Sequence, residues 1–219
     1  MKQKSLSKEK ITMPYSVEII RKEEQSISTW SGGTTTQLAI YPKDSEYKER
    51  NFKWRLSSAC VDIEESTFTS LPGIWRHIMI IEGEMSLQHE GHHSTLLKPY
   101  EQDSFSGGWT TRSIGRAKDF NLMLSEECTG KLEAMFISKG LSIEAMTYLP
   151  DTDLKNSADV FYCAAGNIDI TLNNDQAYNL CQGDLMLIYA LKSDRCAAIG
   201  LKCTSQLDAA VIRAKISYK

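Results

Sequence analysis

Two stretches decide the fold of this chain: RHIMIIEGEMSLQHEGHHSTLLKPYEQDSF (76–105) and DVFYCAAGNIDITLNNDQAYNLCQGDLMLI (159–188). Displaced by 83 positions they overlie without a gap, Gly83 meeting Gly166, Met85 meeting Ile168, Leu97 meeting Leu180 and Phe105 meeting Ile188. Identities are few, but the punctuation is shared: an apolar strand, a glycine, an alternating strand, a polar turn, then leucine and another apolar strand. Such a unit, repeated, is what a double β-barrel is made from.

Outward from the repeat, strand patterns continue to dominate. YSVEII (15–20), TTQLAIY (35–41), FKWRLSSACV (52–61) and AVIRAKIS (210–217) are short, β-branched or aromatic, and bounded by turn residues. Few segments hold a helical period, so the expected class is all-β with little helix. Residues 1–13 read as a polar tail, 14–125 as one half and 126–219 as the other. No Ser/Gly-rich or Pro-rich linker separates the halves, which predicts one compact body.

The formal net charge of −3 gives no basic footprint, so nucleic acid is not the expected partner. The lysine-rich start, MKQKSLSKEK, has no apolar run behind it, which predicts no secretory signal. LMLIYAL (185–191) is too short for a membrane span. Six cysteines without a C-x-x-C pair read as reduced thiols, and the expected location is the cytoplasm.

Three segments carry polar residues on strand patterns. Trp30-Ser31-Gly32-Gly33-Thr34-Thr35-Thr36-Gln37 couples a glycine turn to hydroxyls and an amide. In Phe52–Ala59, alternation groups Arg55, Ser57 and Ala59 against Trp54, Leu56 and Ser58. In Lys118–Met123 it groups Asp119, Asn121 and Met123 against Phe120 and Leu122. An arginine among small polar residues inside a barrel suits a pocket for an acid; facing water, or paired with a local carboxylate, it would mean nothing of the kind. Asp119 is a candidate to hold Arg55 or Arg76.

The repeated unit resembles the cupin superfamily, and two copies imply a bicupin. Most cupins hold a metal through G-x5-H-x-H-x(3,4)-E-x6-G and a later G-x5-P-x-G-x2-H-x3-N, a mixed nitrogen and oxygen set. With Gly83 closing the first motif, Arg76 stands at the glutamate position, no histidine lies among Thr69–Pro72, and Thr111 takes the last histidine position. In the second half the corresponding positions are Asp159, residues 152–155 and Asp194. No metal and no cofactor are expected in these cups, because a guanidinium repels a divalent ion and attracts an anion. His89-Glu90-Gly91-His92-His93 lies between strand patterns and reads as a solvated hairpin tip. His77, beside Arg76, points to the opposite face and reads as a core or interface histidine.

In order along the chain, Trp30 to Gln37, Phe52 to Ala59, FTSLPGIWR (68–76), Ile81-Glu82-Gly83 and Asp119 to Met123 resemble the HutD/Ves family. The resemblance implies a metal-lacking bicupin associated with bacterial histidine utilisation, binding a pathway acid such as N-formylglutamate as a regulator. Departures from the pattern are a shorter Trp–Gly loop, Gln37 where the family has glutamate, and Leu124-Ser125 in place of an arginine.

The expected function is recognition of a small carboxylated metabolite. Arg55 and Arg76 would engage the carboxylate, Thr34, Thr36, Ser57, Asp119 and Asn121 would orient it, and Trp30 would cover its apolar part. The alternatives are a metal-independent isomerase, epimerase or hydrolase acting on a small acid, and a protein-interaction module with a vestigial pocket. Any self-association is expected as a homodimer.

Overall fold

The computed structural model describes residues 15–147, 154–173, 176–190 and 197–219. The polar tail 1–13, Asp194 and Cys196 lie outside them. The only helical element among the described residues is a 3-10 turn, Lys22–Glu24.

Chain order begins with β1 (Tyr15–Ile20), β2 (Ser26–Trp30), β3 (Gly33–Tyr41), β4 (Trp54–Val61) and β5 (Glu65–Thr67). It continues through β6 (Ile74–Gly83), β7 (Met85–His89), β8 (Ser94–Leu97), β9 (Gln102–Ser106), β10 (Thr111–Ile114) and β11 (Ala117–Ser125). The second half holds β12 (Cys128–Ile137), β13 (Ser142–Met146), β14 (Asn156–Ala165) and β15 (Asn167–Leu172). It ends with β16 (Gln176–Cys181), β17 (Leu185–Ala190), β18 (Ala198–Cys203) and β19 (Ala209–Tyr218). Four antiparallel sheets result, in the orders β2-β3-β4-β11-β6-β9, β5-β10-β7-β8, β1-β17-β14-β19-β12 and β13-β18-β15-β16.

The internal repeat is present in the pairing itself. Met85 faces Leu97 across β7 and β8, and Ile168 faces Leu180 across β15 and β16. Arg76 faces Phe105, and Asp159 pairs with Ile188, at the same displacement. Gly83 and Gly166 both adopt left-handed φ, 78° and 76°. A Cβ on Gly83 would stand 2.4 Å from the Arg116 carbonyl oxygen, so only glycine fits there.

Alternation sends the two faces of each sheet to different cores. On the first six-stranded sheet, Trp54, Leu56, Met79, Ile81, Phe120, Leu122 and Leu124 pack against Val160, Tyr162, Leu187, Ile212 and Ile216 of the second half in one continuous cluster. The barrel interiors form separate cores, around Ile78, Ile80, Leu87 and Phe105 in the first half and around Phe161, Ile168, Ile188 and Val211 in the second. At about 1.5–3 kcal/mol per fully buried large apolar side chain, the joining face alone is a strong hold.

One strand crosses between the halves. β1, which precedes all the strands of the first barrel, pairs along β17 of the second, Tyr15 with Ala190 through Ile20 with Leu185. Tyr15, Val17 and Ile19 pack on the second-half core, and the Lys22 backbone N–H and Arg21 side chain both donate to the Asp184 carboxylate. The physical reason is that β17 would otherwise end its sheet with unpaired backbone groups, an edge that needs cover.

Candidate functional site

β11 lies between β4 and β6, so residues on matching positions of the three strands form rungs across the inner face of the first barrel. Met123 pairs with Arg55 on one side and Arg76 on the other. The next rung holds Ser57, Asn121 and Ile78. Arg55, Ser57, Arg76, Asp119 and Asn121 are all buried, between 3% and 6% exposed. The strand alternation thus brings five of the expected residues into one cup.

The guanidinium of Arg55 donates from Nε to Gln37 Oε1 at 2.9 Å and from Nη1 to Ser57 Oγ at 3.1 Å, and lies 4.3 Å over the Tyr47 ring. Arg76 lies 4.6 Å from the centre of the Phe68 ring and 5.3 Å from that of Phe105. Arg76 Nε and Asn121 Oδ1 are buried without a hydrogen-bond partner among the described residues. Nor does any described carboxylate stand within salt-bridge distance of either guanidinium.

Asp119 is not the direct clamp expected for the arginines. Its Oδ1 accepts from the Ala59 backbone N–H at 3.2 Å, because the bulge between Lys118 and Asp119 turns the carboxylate toward β4. Burial raises it to about 6, against the pull of that N–H and of Arg76 and Arg55. Burial likewise lowers Arg76 to about 10 and lowers Arg55, with Tyr47 and Asp119 opposing in both. Two buried cations therefore share the field of one reluctant carboxylate.

Three expected residues lie elsewhere. Thr36 pairs with Ser58 and Thr34 with Cys60, the outward positions of β4, so their side chains leave the arginine cup. Thr36 lines instead a cleft of about 360 Å³ between the halves, with Lys22, Leu38, Ser58, Lys118 and Tyr162. Trp30 pairs with Gly33 opposite Val61, six residues along β4 from Arg55, or about 20 Å. Its ring folds back on its own turn: a Cβ on Gly32 would come within 2.2 Å of Trp30 Cζ3 and 2.6 Å of Ile63 Cδ1. Gly32 serves that close packing, whereas Gly33 makes room for the Cys60 carbonyl, 1.9 Å from where its Cβ would stand.

Sequence reasoning named the Gln37 amide without setting it against Arg55, and missed Tyr47, Phe68 and Phe105 as parts of the cup. Gln37 had a signal, since it pairs with Ser57 and so shares its face; the others reach the arginines from loops or the neighbouring sheet strand. His77 is half-buried, bonds Ser104 Oγ at 2.7 Å, and is lowered by burial. His89 departs from the solvated tip expected for its run. It is 3% exposed, because Met85, Leu87 and His89 alternate inward on β7.

The second half holds a different arrangement at the equivalent place. Arg213 donates from Nε to Asp159 Oδ1 at 2.8 Å and from Nη2 to Asp159 Oδ2 at 2.7 Å, both residues buried. Its charge is matched by a bidentate partner, where the first half has none.

Fold and cup together define the class: an all-β double barrel of the cupin kind, with arginine in the first cup. The chain belongs to the HutD family, whose model matches residues 22–208. No curated protein sequence matches it significantly. Among solved structures it is similar to the conserved protein of unknown function PA5104 from Pseudomonas aeruginosa PAO1, at 21% identity and TM-score 0.74, covering 92% of this chain and 98% of that one. HutD from Pseudomonas fluorescens SBW25, in a formate condition, is similar at 18% identity and TM-score 0.68, over 93% of this chain and 100% of that one. The formate complex of Lactobacillus farciminis oxalate decarboxylase follows at 8% identity and TM-score 0.65, over 90% and 85%. At these identities the solved neighbours speak for the fold.

Proposed function

We propose that this chain is a small-molecule-binding protein whose first barrel recognises a carboxylated metabolite, acting as a regulator in histidine utilisation. The observation that carries the proposal is the pair of buried guanidinium groups, Arg55 and Arg76, without a carboxylate at contact distance. An unneutralised buried cation costs several kcal/mol, so a fold that keeps two of them, one with an orphaned Nε, favours an anionic guest, while the orphaned Asn121 Oδ1 calls for an N–H or O–H donor on that guest. Gln37 is neutral, so its bond to Arg55 Nε supplies no local counter-charge.

Recognition here rests on guanidinium charge and geometry, with no metal called for at the cup. Ser57 and Asn121 supply the orienting polar groups, and the Phe68 and Phe105 rings an apolar wall. N-formylglutamate and other N-acyl amino acids are the first candidates, and formate is the simplest probe of the carboxylate subsite. The free thiols of Cys60, Cys128, Cys163, Cys181 and Cys203 fit a cytoplasmic location. No described helix is long and apolar enough to cross a membrane.

Asp119, raised to about 6, also favours a second reading in which it carries a proton for a metal-independent isomerase, epimerase or hydrolase. One experiment separates the two: thermal shift and calorimetry with formate, N-formylglutamate and related acyl amino acids, each mixture then analysed by mass spectrometry. Saturable binding that Arg55→Ala removes, with the acid recovered unchanged, supports the binding protein. A new product mass transfers the assignment to the enzyme, and no response to any acid overturns both.

A further inference from the structure

Three side chains outside the arginine cup converge on one point. His89 Nε2 lies 3.0 Å and His93 Nε2 2.9 Å from the same oxygen, Asp103 Oδ2. His89 comes from the end of β7, His93 from the β7–β8 turn and Asp103 from β9, so the group ties one sheet of the first barrel to the other. The three donor atoms all fall within 4.8 Å of one another. Donor atoms about 3 Å apart suit a shared ion some 2 Å from each, the usual distance for nitrogen or carboxylate oxygen on a divalent transition metal.

The surroundings favour the same outcome. His89 Nδ1 bonds Thr111 Oγ1 at 2.8 Å inside the barrel. With its proton on Nδ1, given to that hydroxyl, the ring leaves the Nε2 lone pair free for an ion shared with Asp103, and the Phe105 ring, tilted against it at 4.4 Å, packs on the imidazole. His93 is partly exposed and gives the site an approach from solvent. His92 lies flat on Trp109 at 3.6 Å, engaged by that ring.

We infer that His89, His93 and Asp103 form a binding site for a divalent transition-metal ion, zinc or a similar borderline cation. Two neutral imidazoles and one carboxylate are the donor set such ions accept, and three protein ligands leave a coordination position open. These residues are not the ones at which cupins hold their metal, where this chain carries Arg76 and Thr111. Phe105 separates the two sites, its ring contacting both His89 and Arg76. The cation site stands independently of carboxylate binding.

The test is titration of the full, tag-free chain with Zn2+ by calorimetry, and with Co2+ by absorption spectroscopy. One saturable equivalent is expected, unchanged in His92→Ala and weakened at least roughly tenfold in His93→Ala and Asp103→Asn, the least that losing a metal-site partner costs. The cobalt adduct should show d–d bands without thiolate charge transfer. Absence of saturable binding, equal binding in His93→Ala, or a thiolate band that moves the metal to cysteine would each overturn the site. His93 is exposed enough that its truncation leaves the fold intact, so the variant decides even if Asp103→Asn does not fold.

Discussion

Arg55 and Arg76 flank Met123 on one rung of the first barrel, both inside it and neither in contact with a carboxylate. In the second barrel Asp159, at the place of Arg76 in the repeat, closes Arg213 with two hydrogen bonds. The repeat has thus produced one satisfied arginine and one open pair. The contrast sets the expectations below.

Restoring a counter-charge should close the first cup. Gln37→Glu would place a carboxylate against Arg55 Nε, now 2.9 Å from the amide oxygen. Affinity for formate or N-formylglutamate is expected to fall about tenfold or more, and Arg55→Ala to lower it by a further order, since charge-assisted hydrogen bonds carry roughly 1.5–3 kcal/mol each. Calorimetry on the two variants checks both.

Stability should respond oppositely in the two barrels. Arg213→Met removes the bidentate cation that matches the buried Asp159 carboxylate and is expected to cost about 3–5 kcal/mol in urea unfolding. Arg76→Met removes a buried cation that has no ionic partner and fills the same apolar surroundings of Phe68 and Phe105, so it should be neutral or stabilising while carboxylate binding is lost. Equal destabilisation by the two would refute the difference drawn between the cups.

Asp119 gives the pH dependence a sign. Its folded value is raised to about 6 by burial, above the ordinary 3.8, so the folded chain holds this proton more tightly than the unfolded one. Its contribution is therefore most favourable below about pH 4 and is lost as pH rises through 6, a change on the order of 3 kcal/mol. Asp119→Asn should flatten that part of the stability profile. Between pH 7.5 and 5, protonating Asp119 also leaves the arginines less opposed, so a ligand whose carboxylate stays ionised should bind more tightly as pH falls.

Deleting residues 1–20 removes the strand that covers the β17 edge, together with Tyr15, Val17 and Ile19 from the second core. A lower melting temperature and aggregation are expected, because an uncovered edge offers backbone groups to another chain. Light scattering on heating reads the effect; an unchanged melt would show that β1 contributes nothing to the sheet.

Alternation and punctuation are local, and they carried the all-β class, the 83-residue repeat and the inward set Arg55, Ser57, Arg76, Asp119 and Asn121. Both follow from covalent geometry, since successive strand side chains must point to opposite faces and glycine alone tolerates the turns at positions 83 and 166. The rest is a matter of which strand lies beside which. Pairing register turned Thr34 and Thr36 away from the arginines, a bulge drew Asp119 to the Ala59 N–H, and an open edge captured β1 for the second barrel. Whether a buried charge meets its opposite depends on residues far apart in the chain, so only the tertiary structure decided that Arg213 is neutralised, that Arg55 and Arg76 are not, and that His89, His93 and Asp103 meet.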